Sequence, residues 1–396
     1  MKIAYITDQI LPRTATDAKQ MVSMVSALGR AGSEVTLVTP RRWFSRASNR
    51  DRIASFYEVS PSFSIQSVHS VYPNIRAIEK LAQGLAGPLT RTSRKADVLY
   101  TRTIPILIGA LFFTRRHIVY ETYRPWPVQR PHSAGFFRWL GRRRRFLGAV
   151  LHSELARRSY AEAGVPVEKL MTAYNAFDSS HLQPALTQME ARVACGLPPD
   201  RKTVVYTGRL SKRKGVDILL DLARELPDVT FVLVGSQQNG AIEKDAARLP
   251  NVVVCPWIPD SRIAPYLYAA DVLIIPPTVR PLREAGNTVL PIKTFQYMAA
   301  GRAILAPSTP DITEILVDGE NACLVPPDET VAARDRLKVL LSDEAVMAAL
   351  GRRALETSRG LSWERRAECV LAFIFERLGN LHHVPSVRPQ GEERAL

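Results

Sequence analysis

Short apolar runs and amphipathic stretches alternate along most of this chain, and that alternation restricts it to parallel sheets wrapped by helices. In the second half the order reads strand 203–207, helix 216–225, strand 230–234, strand 252–255, helix 262–269, strand 272–275, helix 293–300, strand 303–306, helix from Ile312 and strand 322–325. The first half opens with strand 2–8, loop 9–16, helix 17–31 and strand 35–39. That helix rests on Met21, Val25 and Leu28 at i, i+4 and i+7, with Gly32 at its end. Further apolar runs at 97–100, 117–120 and 148–151, closed by 170–175, make this half a second doubly wound unit. The expected fold class is α/β, two Rossmann-like domains facing a cleft.

A length of 396 residues, 46% of them hydrophobic, is ample for two cores. The polar, proline-bearing stretch after Phe177 places the boundary near Asp178. The expected division is 1–178, 179–360, a helix over 361–380 carrying Ala367, Val370, Leu371, Ile374 and Leu378 at helical spacing, and a disordered tail at 381–396.

The net charge of +15 is unevenly placed. Residues 1–185 hold 27 Lys and Arg against 12 Asp and Glu, whereas 186–396 hold 26 of each. A basic first half suits acidic substrates, an anionic membrane surface or nucleic acid. In FFRWLGRRRRFLG, Phe136, Phe137 and Trp139 lie beside Arg142, Arg143, Arg144 and Arg145. That mixture fits a peripheral membrane contact, with a solvated basic helix end as the alternative. Aromatic-basic alternation on short strands is absent, so nucleic acid is not expected. The four cysteines fall in no CxxC pair and have no His at metal spacing, so no zinc site or disulfide framework is indicated. No signal peptide and no apolar run of membrane-spanning length is evident, which points to the cytoplasm, with contact at the inner face of the membrane.

Two motifs carry chemistry. YTGRLSKRKG, 206–215, ends a strand, turns at Gly208 and places Arg209 and Lys214 around the loop before a helix. Anions bind at such an edge, and two cations five residues apart can clasp a diphosphate; a solvated basic loop is the alternative. PIKTFQYMAAG, 291–301, starts a helix at its proline. Phe295, Met298 and Ala299 should face the core, with Lys293, Gln296, Tyr297 and Ala300 on the other side, after a segment 286–290 that offers backbone N–H groups. By itself this stretch is equally a capped helix.

Together these segments resemble the family 4 glycosyltransferases of the GT-B fold, in the branch that reads P-x-K-x-F-E-Y-M-A-A-G. GRLSKRKG is similar to that family's Arg and Lys diphosphate clasp, and ADVLIIPP with LPIKTFQYMAAGRAILAPSTPDITEIL to its donor-binding segment. HSELARRSYAEAGVPVEKLMTAYNAFD resembles the link to the family's N-G-V-D turn, and LSWERRAECVLAFIFERL the final helix that returns to the first domain. The resemblance implies a retaining transfer from a nucleotide diphosphate sugar to a glycan or lipid-linked acceptor of a surface polysaccharide. Arg209 and Lys214 would be catalytic. Gly208, Asn287, Thr288, Val289, Leu290, Lys293, Gln296, Trp257 and Ile258 would bind the donor, Trp257 being equally readable as packed. Thr16, Glu121 and Tyr123 would lie on the acceptor side.

There are departures from the family pattern. Its two glutamates, with seven residues between them, are Thr288 and Gln296 here, Glu284 being a nearby substitute for the first. Its Glu-x-His is Glu121, Thr122, Tyr123, and its glycine pair after the first strand is replaced by Arg13, Thr14, Ala15 and Thr16. A Gln amide still hydrogen-bonds a neutral diol, but Tyr123 is no base at neutral pH. The resemblance implies that the leaving diphosphate deprotonates the acceptor, so no protein nucleophile is needed. The chain has no Asp-x-Asp, so no metal or other cofactor is expected. The competing reading is a catalytically degenerate GT-B protein that binds nucleotide sugar or membrane as the partner of an active transferase.

Overall fold

The computed structural model describes residues 1–42, 49–70, 75–238, 240–285 and 290–382. Among these, strands β1 (Lys2–Ile6), β2 (Glu34–Arg41), β3 (Ser64–His69), β4 (Val98–Thr101), β5 (His117–Thr122), β6 (Phe146–Leu151) and β7 (Leu170–Thr172) form one parallel sheet in the order β3-β2-β1-β4-β5-β6-β7. Strands β8 (Thr203–Thr207), β9 (Thr230–Ser236), β10 (Val252–Pro256), β11 (Val272–Ile274), β12 (Ala303–Pro307) and β13 (Cys323–Val325) form a second, in the order β10-β9-β8-β11-β12-β13. The order reverses between β1 and β4 and again between β8 and β11. Open α/β sheets bind ligands beyond the C-terminal strand edges at such switch points.

Helices that shape the site are α1 (Thr16–Arg30), α2 (Arg76–Leu89), α3 (Ile104–Phe113), α4 (Ala134–Gly141), α5 (Glu154–Glu162), α6 (Val216–Glu225), α7 (Ile292–Ala299) and α8 (Trp363–His382). The central strands are buried on both faces, so alternate residues feed different cores. Ile3 and Tyr5 join one cluster with α1, while Ala4 and Ile6 join another with α3 and α4. In the second sheet, Val205 packs with α7, and Val204 and Tyr206 with α6.

The final helix belongs to the first unit's core: Trp363, Ala367, Val370, Leu371 and Ile374 are buried with Met21, Val25 and Leu28 of α1. It runs to His382, two residues into the stretch expected to be disordered, and the rest of that stretch lies outside the described residues. The helix expected from Ile312 is a single 3-10 turn, Ile312–Glu314. Tyr297, expected on the polar side of α7, is fully buried, because its hydroxyl accepts a hydrogen bond from the Thr207 N–H at 2.8 Å and pins α7 to the end of β8.

Several contacts among the described residues tie the two units together. Lys19 on α1 pairs with Asp260 at 2.6 Å. The Ser261 N–H and hydroxyl both donate to the Glu58 carboxylate. Glu314 accepts the N–H groups of Glu154 and Leu155 at 2.8 and 2.9 Å, placing a carboxylate at the N-terminus of α5, where the helix dipole favours it.

Candidate functional site

The end of β8 is built for close approach. Gly208 has φ +127°, a conformation that disfavours any side chain, and a Cβ there would sit 3.0 Å from the Lys293 Nζ. On the neighbouring strand Gly235, at φ +131°, brings its backbone so near that a Cβ would lie 2.3 Å from the Gly208 carbonyl oxygen. Lys293 projects from the first turn of α7 over the Tyr206 ring, 3.8 Å from its centroid, and donates to the Thr207 carbonyl at 2.5 Å. Burial, and then the nearby Lys214, hold its pKa well below that of an ordinary lysine. Arg209 and Lys214 are exposed on the loop beside it.

These groups face a cleft of about 700 Å³. Gly208, Arg209, Lys214, Trp257, Ile258, Leu290, Lys293 and Gln296 line it from the second unit, and Thr16, Lys19 and Gln20 from the first. The structure thus brings nine expected residues to one space. Trp257 is 62% exposed there instead of packed. Asn287, Thr288 and Val289 lie outside the described residues, as does the side chain of Glu284. The Gln296 amide donates to Asp260 at 3.3 Å, and the same carboxylate oxygen holds Lys19.

Glu121 and Tyr123 lie elsewhere. Both line a pocket of about 330 Å³ in the first unit, and Tyr123 also lines a smaller one of about 240 Å³ with Thr16. Glu121 is 2% exposed, and both its oxygens are engaged: Oε1 with His152 Nε2 at 2.6 Å and Arg366 at 3.0 Å, Oε2 with the Tyr100 hydroxyl at 2.7 Å. Both carboxylate oxygens are thus committed to protein partners. Burial pushes its pKa up, but the Arg366 and Arg102 guanidiniums prevail and hold it well below the usual carboxylate range.

Sequence reasoning missed His152, Arg366, Lys19 and Asp260. No spacing connects Glu121 to His152; they meet because β5 and β6 are adjacent and parallel, with Thr122 opposite Leu151. Burial drives the pKa of His152 down to about 4, so it is neutral near pH 7.

The expected membrane segment needs correction. Phe137 is buried in the core of the first unit, Phe136 is partly buried against that core, and Arg145 turns inward to donate to the Leu111 and Thr114 carbonyls. Trp139 remains at the surface, stacked on Phe112 at 6.5 Å and covered by Arg143 at 4.2 Å; Arg142 and Arg144 are exposed. Exposed apolar side chains of the first unit include several on α2 and α3: Leu81 is 64% exposed, Leu85 52%, Phe112 68% and Phe113 51%. Gly84 and Gly109 bring these helices into backbone contact, a Cβ on Gly109 falling 1.7 Å from the Gly84 carbonyl oxygen.

Comparison with known proteins fits this architecture. Residues 201–343 match the family model described as Glycosyl transferases group 1. A D-inositol 3-phosphate glycosyltransferase of Xylanimonas cellulosilytica is 26% identical over 196 residues, 47% of this chain and 45% of that protein. A phosphatidyl-myo-inositol mannosyltransferase of Mycobacterium tuberculosis is 30% identical over 161 residues, 38% and 41% of the two chains. The chain spans about half the length of the curated relatives it matches. Among solved structures, the sucrose-phosphate synthase of Thermosynechococcus elongatus superposes with TM-score 0.71 at 16% identity, over 96% of this chain and 99% of the other. Anabaena HepE, in complex with UDP and glucose, gives 0.67 at 18% identity, over 95% and 100%. The fold is therefore GT-B, and the stretch of its second unit over residues 201–343 is similar to the group 1 glycosyltransferases.

Proposed function

We propose that this protein is a retaining, metal-independent glycosyltransferase. It moves a sugar from a nucleotide diphosphate to a glycan or lipid-linked saccharide, in surface polysaccharide synthesis at the cytoplasmic face of a membrane. The observation that carries this reading is the convergence of Arg209, Lys214 and Lys293 on the glycine-terminated end of β8 at the cleft. Three cationic side chains beside a strand edge match a diphosphate and supply the charge stabilisation otherwise provided by a metal ion. In the transfer, the bond from the anomeric carbon to the diphosphate oxygen breaks as the acceptor oxygen bonds on the same face. The acceptor proton passes to the departing diphosphate, which the cations stabilise. In this reading Trp257 and Ile258, which line the cleft, meet the base, and the Gln296 carbonyl accepts from a ribose hydroxyl. The likeness to a UDP complex favours UDP within the donor panel. The exposed α2–α3 face beside Trp139 and Arg143 would hold the protein where a lipid-linked acceptor lies.

A second reading, a degenerate partner that binds donor without transfer, is favoured by Tyr123 and by Gln296 being engaged with Asp260. The test is to mix purified protein with UDP-, GDP-, ADP- and dTDP-sugars, following thermal stabilisation and slow donor hydrolysis, with Arg209→Ala as control. Stabilisation by one nucleotide class with hydrolysis, both lost in the control, is the expected result. No stabilisation by any donor would overturn the proposal. Binding without hydrolysis or transfer to any glycoside acceptor would favour the partner.

A further inference from the structure

Behind the cleft, on the first unit, lies the cavity of about 240 Å³. It shares Thr16 and Gln20 with the main cleft and Tyr123 and Arg124 with the 330 Å³ pocket, so it joins the two. Its volume is several times the ~30 Å³ that one water occupies in the liquid. Two of its wall residues, His152 and Asn175, are each 3% exposed, and each has a buried atom without a hydrogen-bond partner: His152 Nδ1 and Asn175 Oδ1. Buried polar groups are almost always satisfied, so two orphans on one cavity wall point to something that fills it.

The chemistry of the pair specifies what. Glu121 is held as a carboxylate by Arg366 and can only accept, so the proton of His152 sits on Nε2, 2.6 Å away. Nδ1 is left with its lone pair and, in this structure, without a partner. Asn175 Oδ1 is likewise an acceptor. Two neutral acceptors call for O–H or N–H donors and disfavour an anion, and the Arg124 guanidinium on the same wall adds a donor.

We propose that this cavity is a hydroxyl-recognition subsite, in which His152 Nδ1 and Asn175 Oδ1 accept hydrogen bonds from two hydroxyls of a hexopyranosyl ring. The ring belongs either to the donor's sugar or to the acceptor, and the inference rests on the transferase reading above. Glu121 is the positioning residue that fixes the tautomer of His152.

The test uses the full chain labelled with ¹⁵N-histidine, the His152 signal being assigned by its loss in His152→Gln. Glutamine retains an N–H to donate to Glu121 and lacks the Nδ1 acceptor, so the fold is preserved. The expected spectrum shows the Nε2–H tautomer, undisturbed by saturating UDP or GDP. UDP-glucose or GDP-mannose moving the Nδ1 signal, with His152→Gln weakening that sugar nucleotide about tenfold and its parent nucleotide by less than twofold, assigns the subsite to the donor sugar. Movement only when methyl α-glucoside or methyl α-mannoside is added to the nucleotide complex assigns it to the acceptor. An Nδ1–H tautomer, or no movement with any of these probes in a protein that still binds nucleotide, overturns the subsite and leaves the transferase reading standing. If no nucleotide binds, the transferase reading falls, and the subsite stands or falls on whether the glycosides alone move the signal.

Discussion

Lys19 Nζ lies 2.6 Å from Asp260 Oδ2, joining the first helix of one unit to the other unit at the cleft that both residues line. Because both side chains are about one-third exposed, at 30% and 35%, the pair contributes at most ~1 kcal/mol to stability. Its larger effect is on the cleft, since Asp260 also holds the Gln296 amide. Lys19→Met should therefore leave the unfolding midpoint nearly unchanged while raising the radius of gyration in small-angle scattering. Asp260→Ala should additionally weaken nucleotide binding by about tenfold in calorimetry, because Gln296 loses its orienting partner. Equal affinities in the two variants would show that Gln296 does not need Asp260.

Lys293 predicts a proton linkage. Burial and Lys214 depress its pKa, and a diphosphate in the cleft adds negative charge that raises it again. Between the two values the protein takes up protons on binding. Calorimetry of nucleotide binding in buffers of different ionisation enthalpy should show net uptake, absent in Lys293→Met. Uptake equal in the variant would place the proton on another group.

The buried Glu121–Arg366 pair ties the final helix to β5 and predicts a stability effect. Glu121→Gln leaves the Arg366 guanidinium buried without its charge partner, and breaking such a pair destabilises by roughly 3–5 kcal/mol. Urea unfolding monitored by tryptophan fluorescence measures it. A loss below ~1 kcal/mol would mean that the remaining Arg366 bonds to the Tyr174 and Ala173 carbonyls suffice.

The alternation of elements was legible because strands such as β8 are continuous apolar runs, and α6, 216–225, has the bounds that the sequence pattern predicts. Helix α3, IPILIGALFF, was not anticipated: it is apolar on every side and has no period to read. For α2, exposed Leu81 and Leu85 face away from the core, so burial does not explain its pattern. At the site, cations in one loop were readable from spacing alone. The Glu121–His152–Arg366 set was not, because its members come from three elements that only the sheet order and the returning helix bring together.

Acid should expose the histidine. With a folded pKa of about 4 against an ordinary value of 6.5, His152 binds its proton less readily in the native state than in the unfolded chain. The stability it contributes is complete above pH 6.5 and is lost as pH falls towards 4, a total on the order of 3 kcal/mol. His152→Gln removes this dependence, so the difference between the two unfolding free energies should shift by that amount, against the wild type, as the pH falls through that window. Parallel curves would show that His152 is no less basic in the folded protein.

The apolar face of α2 and α3 makes the sharpest separation between membrane and nucleic acid. Leu81 and Phe112 are 64% and 68% exposed, and inserting such a side chain into the acyl boundary is worth roughly 1.5–3 kcal/mol. Leu81→Asp and Phe112→Asp should therefore each reduce cosedimentation with phosphatidylglycerol-containing vesicles by tenfold or more, without changing the soluble donor reaction. Arg142→Glu and Arg143→Glu should weaken vesicle binding in proportion to the anionic lipid present and lose their effect at high salt. A polyanion that only follows charge would behave differently: duplex binding would fall steeply with salt and with the arginine changes alone, indifferent to Leu81 and Phe112. Vesicle binding that ignored the two apolar changes would remove the membrane assignment of this face.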